Sequence, residues 1–222
     1  MNQSSEIGLI LAASGSGTRF GSDVPKQFLP FDGRPLYLHA LRRFSGFVGR
    51  AVVAVPATWV ERVEKEVQGS IPVSIEVIAG GGTRQSSVEK GLKALPIEIE
   101  YVLVHDAARP FVSRDLIVAV SEGMRRFDAC IPVLPIRDTV KEIADTAIVR
   151  TIPRERLGLA QTPQGFRASL LRRAVEQAQG DRVYGTDEAF LVERLGITVR
   201  VVQGDPENVK ITWSQDLPGL TP

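Results

Sequence analysis

The chain has 222 residues, 43% of them apolar and 24% charged, proportions that suit a globular protein with a sizeable core. A formal net charge of +1 excludes wholesale binding to nucleic acid, so any anion site must be local. The single cysteine, Cys130, excludes an internal disulfide and a thiolate metal cluster; within Ala129-Cys130-Ile131-Pro132-Val133-Leu134 it reads as a buried strand thiol.

Residues 1–6 carry no basic region, and the apolar run after them is too short for a secretory signal or a membrane span; a cytoplasmic protein is expected. Apolar, β-rich runs at 8–13, 50–55, 73–79, 101–105 and 129–134 predict strands. Amphipathic segments at 35–44, 58–68, 83–95 and 113–126 predict the helices between them. Trp59, Val63 and Val67 share one face, as do Val88, Leu92 and Leu95, and Ser113 suits a cap. After Leu134 the pattern becomes strand 139–143, tight turn, strand 147–152, a projecting β-arm within 137–156 suited to a dimer contact. Helices at 167–179 and 186–195 and strands at 198–203 and 209–212 complete the chain. Such alternation predicts one α/β domain over 1–222, doubly wound about a mostly parallel sheet. Ligands of such sheets bind beyond the carboxyl ends of the strands, so the loops after Ala13, Ala79 and His105 are expected to share one cleft.

The first of these loops is Ser14-Gly15-Ser16-Gly17-Thr18-Arg19-Phe20-Gly21, followed by Pro25-Lys26-Gln27-Phe28. Small residues let backbone N–H groups approach phosphate oxygens, and two cations, Arg19 and Lys26, can neutralise charge that develops in phosphoryl or nucleotidyl transfer. It is not a dinucleotide fingerprint: Phe20 stands where the third glycine belongs, and the second strand ends Val53-Ala54-Val55-Pro56 without an acid. No Gly-Lys-Ser/Thr of a Walker loop is present. Neither His39 nor His105 makes a metal-ligand spacing.

These segments occur in order with His105-Asp106-Ala107-Ala108-Arg109-Pro110, Arg137-Asp138-Thr139, Gln161-Thr162-Pro163-Gln164 and Thr186-Asp187-Glu188. Together, from Ile7 to about Asp216, they resemble the 2-C-methyl-D-erythritol 4-phosphate cytidylyltransferases of the non-mevalonate isoprenoid pathway. The resemblance implies a nucleotide-diphospho-sugar-transferase-like fold, a homodimer joined by the arm, and CTP used with a divalent ion, usually Mg²⁺. It implies Arg19 and Lys26 as transition-state stabilisers. Arg154, Lys210, Asp106, Arg109, Thr139, Thr162 and Thr186 are implied at the acceptor, with Arg154 entering the neighbouring subunit's site. Ala13, Ser14, Gly15, Gly17, Gly80, Gly81 and Ser87 are implied at the nucleotide. Ser14 replaces the family's usual alanine, and its hydroxyl offers an added phosphate contact; Gly82-Thr83 stands where relatives often carry acids.

The chemistry so implied is attack of the acceptor's phosphate oxygen on the α-phosphorus of CTP. Because that oxygen is already ionised, His105 is not expected to act as a base. Asp106 could serve metal, ribose or acceptor hydroxyls. A ribitol 5-phosphate or other polyol-phosphate cytidylyltransferase would keep Arg19, Lys26 and Asp106, and a silent nucleotide-binding module is the alternative outside catalysis.

Overall fold

The computed structural model describes residues 6–15 and 24–216. Arg19 and Gly17, expected at the phosphates, lie outside the described residues.

Three buried apolar runs form the centre of one sheet, β1 (Ile7–Ala12), β4 (Arg50–Val55) and β6 (Tyr101–Asp106), and the more exposed β5 (Ser74–Ala79) closes one edge. All are parallel, with β6 and β4 flanking β1 and β5 beyond β4. Successive side chains point to opposite faces of a strand, and both faces are apolar, so helices cover both. Leu9, Leu11, Val53 and Leu103 pack under α1 (Leu36–Arg43), α2 (Val60–Val67) and α4 (Arg114–Phe127). Ile10, Val52, Val102 and Val104 pack under α3 (Arg84–Ala94), α5 (Ala168–Gly180) and α6 (Glu188–Glu193). Local chemistry starts these helices where apolar periodicity begins. Ser113 accepts a hydrogen bond from Leu116 N–H, and Thr83 forms a reciprocal capping box with Ser86. The expected helix over 58–68 opens as a 3₁₀ turn at Ala57–Trp59 before becoming α2. No helix among the described residues is long and apolar enough to cross a membrane.

The carboxyl-terminal half departs from the expected parallel resumption. β11 (Gln164–Arg167) lies antiparallel between β6 and β7 (Ala129–Pro135), and β10 (Gly158–Ala160) extends the same edge of β7. β12 (Arg200–Gln203) joins the other edge of β7 in parallel. The sheet is therefore mixed, with a parallel core. β10 and β11 are too short for periodicity to distinguish from loop; pairing with β6 and β7 makes them strands. The segment 209–212 is not a strand. Ile211 N–H donates to Ala108 C=O at 2.8 Å, and the buried Ile211 side chain packs on Leu36. Docking through one buried residue gives it strand-like alternation without a ladder. The helix expected from 186 begins at Glu188, capped by Asp187, whose Oδ1 accepts from Phe190 N–H. A short hairpin, β2 (Pro30–Phe31) with β3 (Arg34–Pro35), precedes α1.

Strands β8 (Val140–Ala144) and β9 (Ala147–Ile152) pair with each other and with no other strand of the described residues. Asp145 takes the left-handed conformation (φ 52°) that a tight hairpin needs. Ile143, Ile148 and Val149 on this hairpin are each more than half exposed.

Phe166 on β11 is wholly buried among Val102, Val104 and Leu171. Phe166→Ala is expected to cost about 3–5 kcal/mol, the usual loss for emptying such a site, measured by urea denaturation. A loss below about 1 kcal/mol would show that β11 does not fill the core.

Candidate functional site

Sheet order reverses at β1, because the chain runs from β1 to β4 and β5 on one side and returns to β6 on the other. The crevice beyond the carboxyl ends at such a point is the natural ligand site of an α/β sheet. Here it is a cleft of about 440 Å³, formed by the segments after β1, β5 and β6 together with Lys26, Lys210 and Thr212. That volume suits a small-molecule ligand.

One wall is set by Gln27. Its buried amide donates to Ala13 C=O at 2.6 Å and to Gly15 C=O at 2.8 Å, fixing where the loop leaves β1. Phe28 anchors the same turn, stacked on Trp59 at 3.9 Å and edge-on to Tyr37. Lys26, two residues before this anchor, lines the cleft. Apolar packing outside the site therefore aims a cation into it.

The opposite wall joins β5 to α3. Gly80 and Gly81 are required here for space: a Cβ on Gly80 would stand 2.6 Å from the Ser14 side chain, and one on Gly81 would run into Ser86. The Ser14 and Ser87 hydroxyls are 2.6 Å apart. Ser87 is fully buried and also accepts from Gly81 N–H at 3.0 Å. The Ser14 hydroxyl thus ties the segment after β1 to the first turn of α3.

The floor is electrostatic. Asp106 ends β6 with its carboxylate between two cations: Arg84 Nε donates to Oδ1 at 2.9 Å and Lys210 Nζ to Oδ2 at 2.6 Å. Arg84 Nη1 meanwhile donates to both oxygens of Glu188, at 2.7 and 2.8 Å. Burial alone would raise the Asp106 carboxyl, but the charges of Arg84 and Lys210 outweigh it and hold the group well below the usual carboxylate range. Burial acts to lower Arg84, and the two carboxylates reverse that. For Glu188, burial prevails over Arg84 and its carboxyl is raised.

Arg84 and Glu188 were not singled out in the sequence, although signals existed. A cation in the first turn of α3 opposes the helix dipole and needs a carboxylate partner. Glu188 lies inside the Thr186-Asp187-Glu188 segment but reads there as an ordinary first-turn acid. Gln27 falls within the Pro25-Lys26-Gln27-Phe28 segment, but its clamp binds two backbone carbonyls and so cannot be read from residue types.

The remaining expected residues fall into two groups. Arg109, Thr162 and His105 support the floor from behind. Arg109 Nη1 donates to Asn208 C=O at 2.7 Å, and Asn208 donates to Thr162 C=O at 2.7 Å, which fixes the segment that carries Lys210. Thr162 Oγ1 accepts from Asp106 N–H at 3.1 Å and lies 3.0 Å from His105 Nδ1. Arg154, Thr139 and Thr186 are exposed and do not line the cleft of their own chain. Arg154 donates to Arg137 C=O at the base of the hairpin.

Among the described residues Asp106 is the one carboxylate lining the cleft, and cations engage both of its oxygens. No group of three His, Cys, Asp or Glu side chains suited to a metal occurs among those residues. The donor set does not fit a cation held by the protein itself; Mg²⁺ favours sites built largely from substrate phosphates and water.

His105 is fully buried. With Thr162 donating to Nδ1, Nε2–H donates to Arg109 C=O at 3.0 Å, a neutral ring with both nitrogens satisfied. Burial pushes its pKa down to about 4, from the ordinary 6.5. Between those values the unfolded chain binds a proton that the native state does not. The stabilisation is complete above pH 6.5 and is lost as pH falls towards 4, by about 3 kcal/mol. Urea unfolding from about pH 7 to about pH 4 is expected to show this slope in the parent chain and a flatter one in His105→Asn. Equal slopes would remove His105 as the source.

A model of the family described as "IspD: 2-C-methyl-D-erythritol 4-phosphate cytidylyltransferase" matches residues 7–219. The chain is 44% identical to the 2-C-methyl-D-erythritol 4-phosphate cytidylyltransferase of Acidobacterium capsulatum, over 94% of this chain and 93% of that one. It is 42% identical to that of Solibacter usitatus, over 96% and 93%. The crystal structure of the Thermus thermophilus cytidylyltransferase superposes with a TM-score of 0.78 at 37% identity, covering 94% of each chain. Sequence, fold and a cleft at the switch point agree: the chain belongs to the 2-C-methyl-D-erythritol 4-phosphate cytidylyltransferase (IspD) family of nucleotidyltransferases.

Proposed function

We propose that this chain joins CTP to 2-C-methyl-D-erythritol 4-phosphate, releasing pyrophosphate, in the cleft between Lys26 and Lys210. Convergence of the β1 loop, both lysines and Asp106 on one cleft is the observation that supports it. An oxygen of the acceptor's phosphate bonds to the α-phosphorus of CTP, the bond from that phosphorus to the bridging oxygen breaks, and its electron pair leaves with pyrophosphate. The attacking oxygen is ionised, so no base is needed; His105 is in any case neutral and fully buried.

Two anions must meet, so charge is the principal obstacle. Lys26, with Arg19, stabilises the α-phosphate oxygens and the departing pyrophosphate. Ala13, Ser14, Gly15 and Gly17 serve the nucleotide's phosphates, and Gly80, Gly81 and Ser87 serve its base. On the acceptor side Lys210 meets the phosphate and Asp106 the hydroxyls, while Arg109 and Thr162 hold these two in place. Thr139, Thr186 and, from a neighbouring subunit, Arg154 complete that side. A divalent ion, Mg²⁺ by preference, enters as the CTP complex and belongs to the substrate. Pairing through the exposed apolar face of β8 and β9 supplies the second subunit.

Pyrophosphate release is expected with CTP and 2-C-methyl-D-erythritol 4-phosphate, and much less with ribitol 5-phosphate. Silence with every pair would leave only a binding module, and preference for ribitol 5-phosphate would move the acceptor assignment. Lys26→Ala is expected to lower kcat by about 100-fold or more, near 3 kcal/mol, with little change in the KM for CTP. Equal changes in both would deny Lys26 a transition-state role. For the arm, sedimentation should show a dimer that Ile148→Glu converts to monomer; a parent chain that is already monomeric refutes the pairing.

A further inference from the structure

Four charged side chains on four separate segments form one line: Lys210, Asp106, Arg84 and Glu188. Its two ends differ. Glu188 has a side chain only 2% exposed, its backbone N–H faces Gln164 Oε1 at 3.2 Å, and both its oxygens meet one nitrogen of Arg84. Lys210 has a side chain 41% exposed and stands in the cleft. Separating a buried pair leaves an uncompensated charge, whereas a half-exposed ammonium exchanges partners at little cost. The line is therefore fixed at Glu188 and exchangeable at Lys210.

Resting on the assignment of Asp106 and Lys210 to the acceptor, we propose that Arg84 and Glu188 are positioning residues. Glu188 holds the Arg84 guanidinium, and Arg84 keeps the Asp106 carboxylate aimed into the cleft when Lys210 leaves it for the acceptor's phosphate.

The geometry divides the labour between the two oxygens of Asp106. Oδ1 stays with Arg84 Nε. Oδ2, vacated by Lys210, becomes a free acceptor for a polyol hydroxyl, which a carboxylate binds through its lone pairs. Before binding, the four formal charges cancel, so the floor adds no net charge to the cleft. The guanidinium is needed for its shape: Nε and Nη1 point to different carboxylates, a bridge that a lysine's single nitrogen cannot span. Glu188 opens α6, and Arg84 opens α3 directly after the Gly80–Thr83 wall. One ion pair thereby joins the acceptor side of the cleft to the nucleotide side.

The test is steady-state kinetics on the intact chain, with CTP and acceptor varied separately, beside the parent enzyme. Glu188→Gln keeps the shape and removes the charge. It is expected to lower kcat/KM for the acceptor by about 10-fold or more while the KM for CTP stays within about 2-fold. Glu188→Asp, which restores charge at shorter reach, is expected to recover part of the loss. Arg84→Lys, an independent disruption, should reproduce the acceptor-selective defect. Circular dichroism checks that the variants are folded. Unchanged acceptor kinetics in the folded variants, or equal loss towards both substrates, overturns the proposal. So does failure of Glu188→Gln and Arg84→Lys alike to fold, since the pair would then serve folding. A parent enzyme inactive with every acceptor refutes the acceptor assignment itself, and the proposal falls with it; with an active parent, the outcome bears on Arg84 and Glu188 alone.

Discussion

A carboxylate buried at the end of a parallel strand is tolerable only if cations meet it, and Asp106 sets that condition for the whole cleft. Desolvation of an isolated carboxylate would cost far more than a domain of this size can absorb. Arg84 and Lys210 must both reach it, which fixes how α3 begins and where the chain after β12 returns. Arg84 in turn requires Glu188, and so fixes the start of α6. A buried network of this kind adds little net stability over an apolar substitute. Its effect is directional: it decides which atoms face the ligand.

Around this floor the walls are set by small residues and backbone groups. Gly80 and Gly81 admit Ser14 and Ser86 at distances no other residue would allow, and the Ser14–Ser87 contact joins the segment after β1 to the start of α3, far apart in sequence. Gln27 binds only carbonyls, so it holds the loop after β1 by shape of the main chain. Cations lining the cleft and hydrogen-bonded backbone behind them form a preorganised surface, the kind of arrangement that stabilises developing negative charge most effectively.

Much of the fold was legible because its strongest signals are local. The runs that became β1, β4, β6 and β7 are apolar on both faces, as a covered parallel strand must be, and their order predicted the shared cleft. The helix capped by Ser113 and the β8–β9 hairpin also carry their signals within a few residues. β10 and β11 were not legible, because three- and four-residue strands have no periodicity and owe their existence to β6 and β7. The run 209–212 misled for a related reason: Ile211 is buried by docking on Leu36 and Ala108, which imitates a strand's alternation.

By itself the sequence determined the alternating architecture, the small-residue segment that leads from β1 into the cleft and the family to which the motifs point. Those properties depend on residue type, short-range spacing and order along the chain. Only the tertiary structure decided that Arg84 lines the cleft and pairs with Glu188, that Lys210 rests on Asp106 and that Ser14 faces Ser87. The partners in these contacts are separated by 22 to 104 positions. An ion pair has no sequence period: its partners are chosen by which strand and helix ends the fold brings within about 3 Å, where burial makes pairing obligatory.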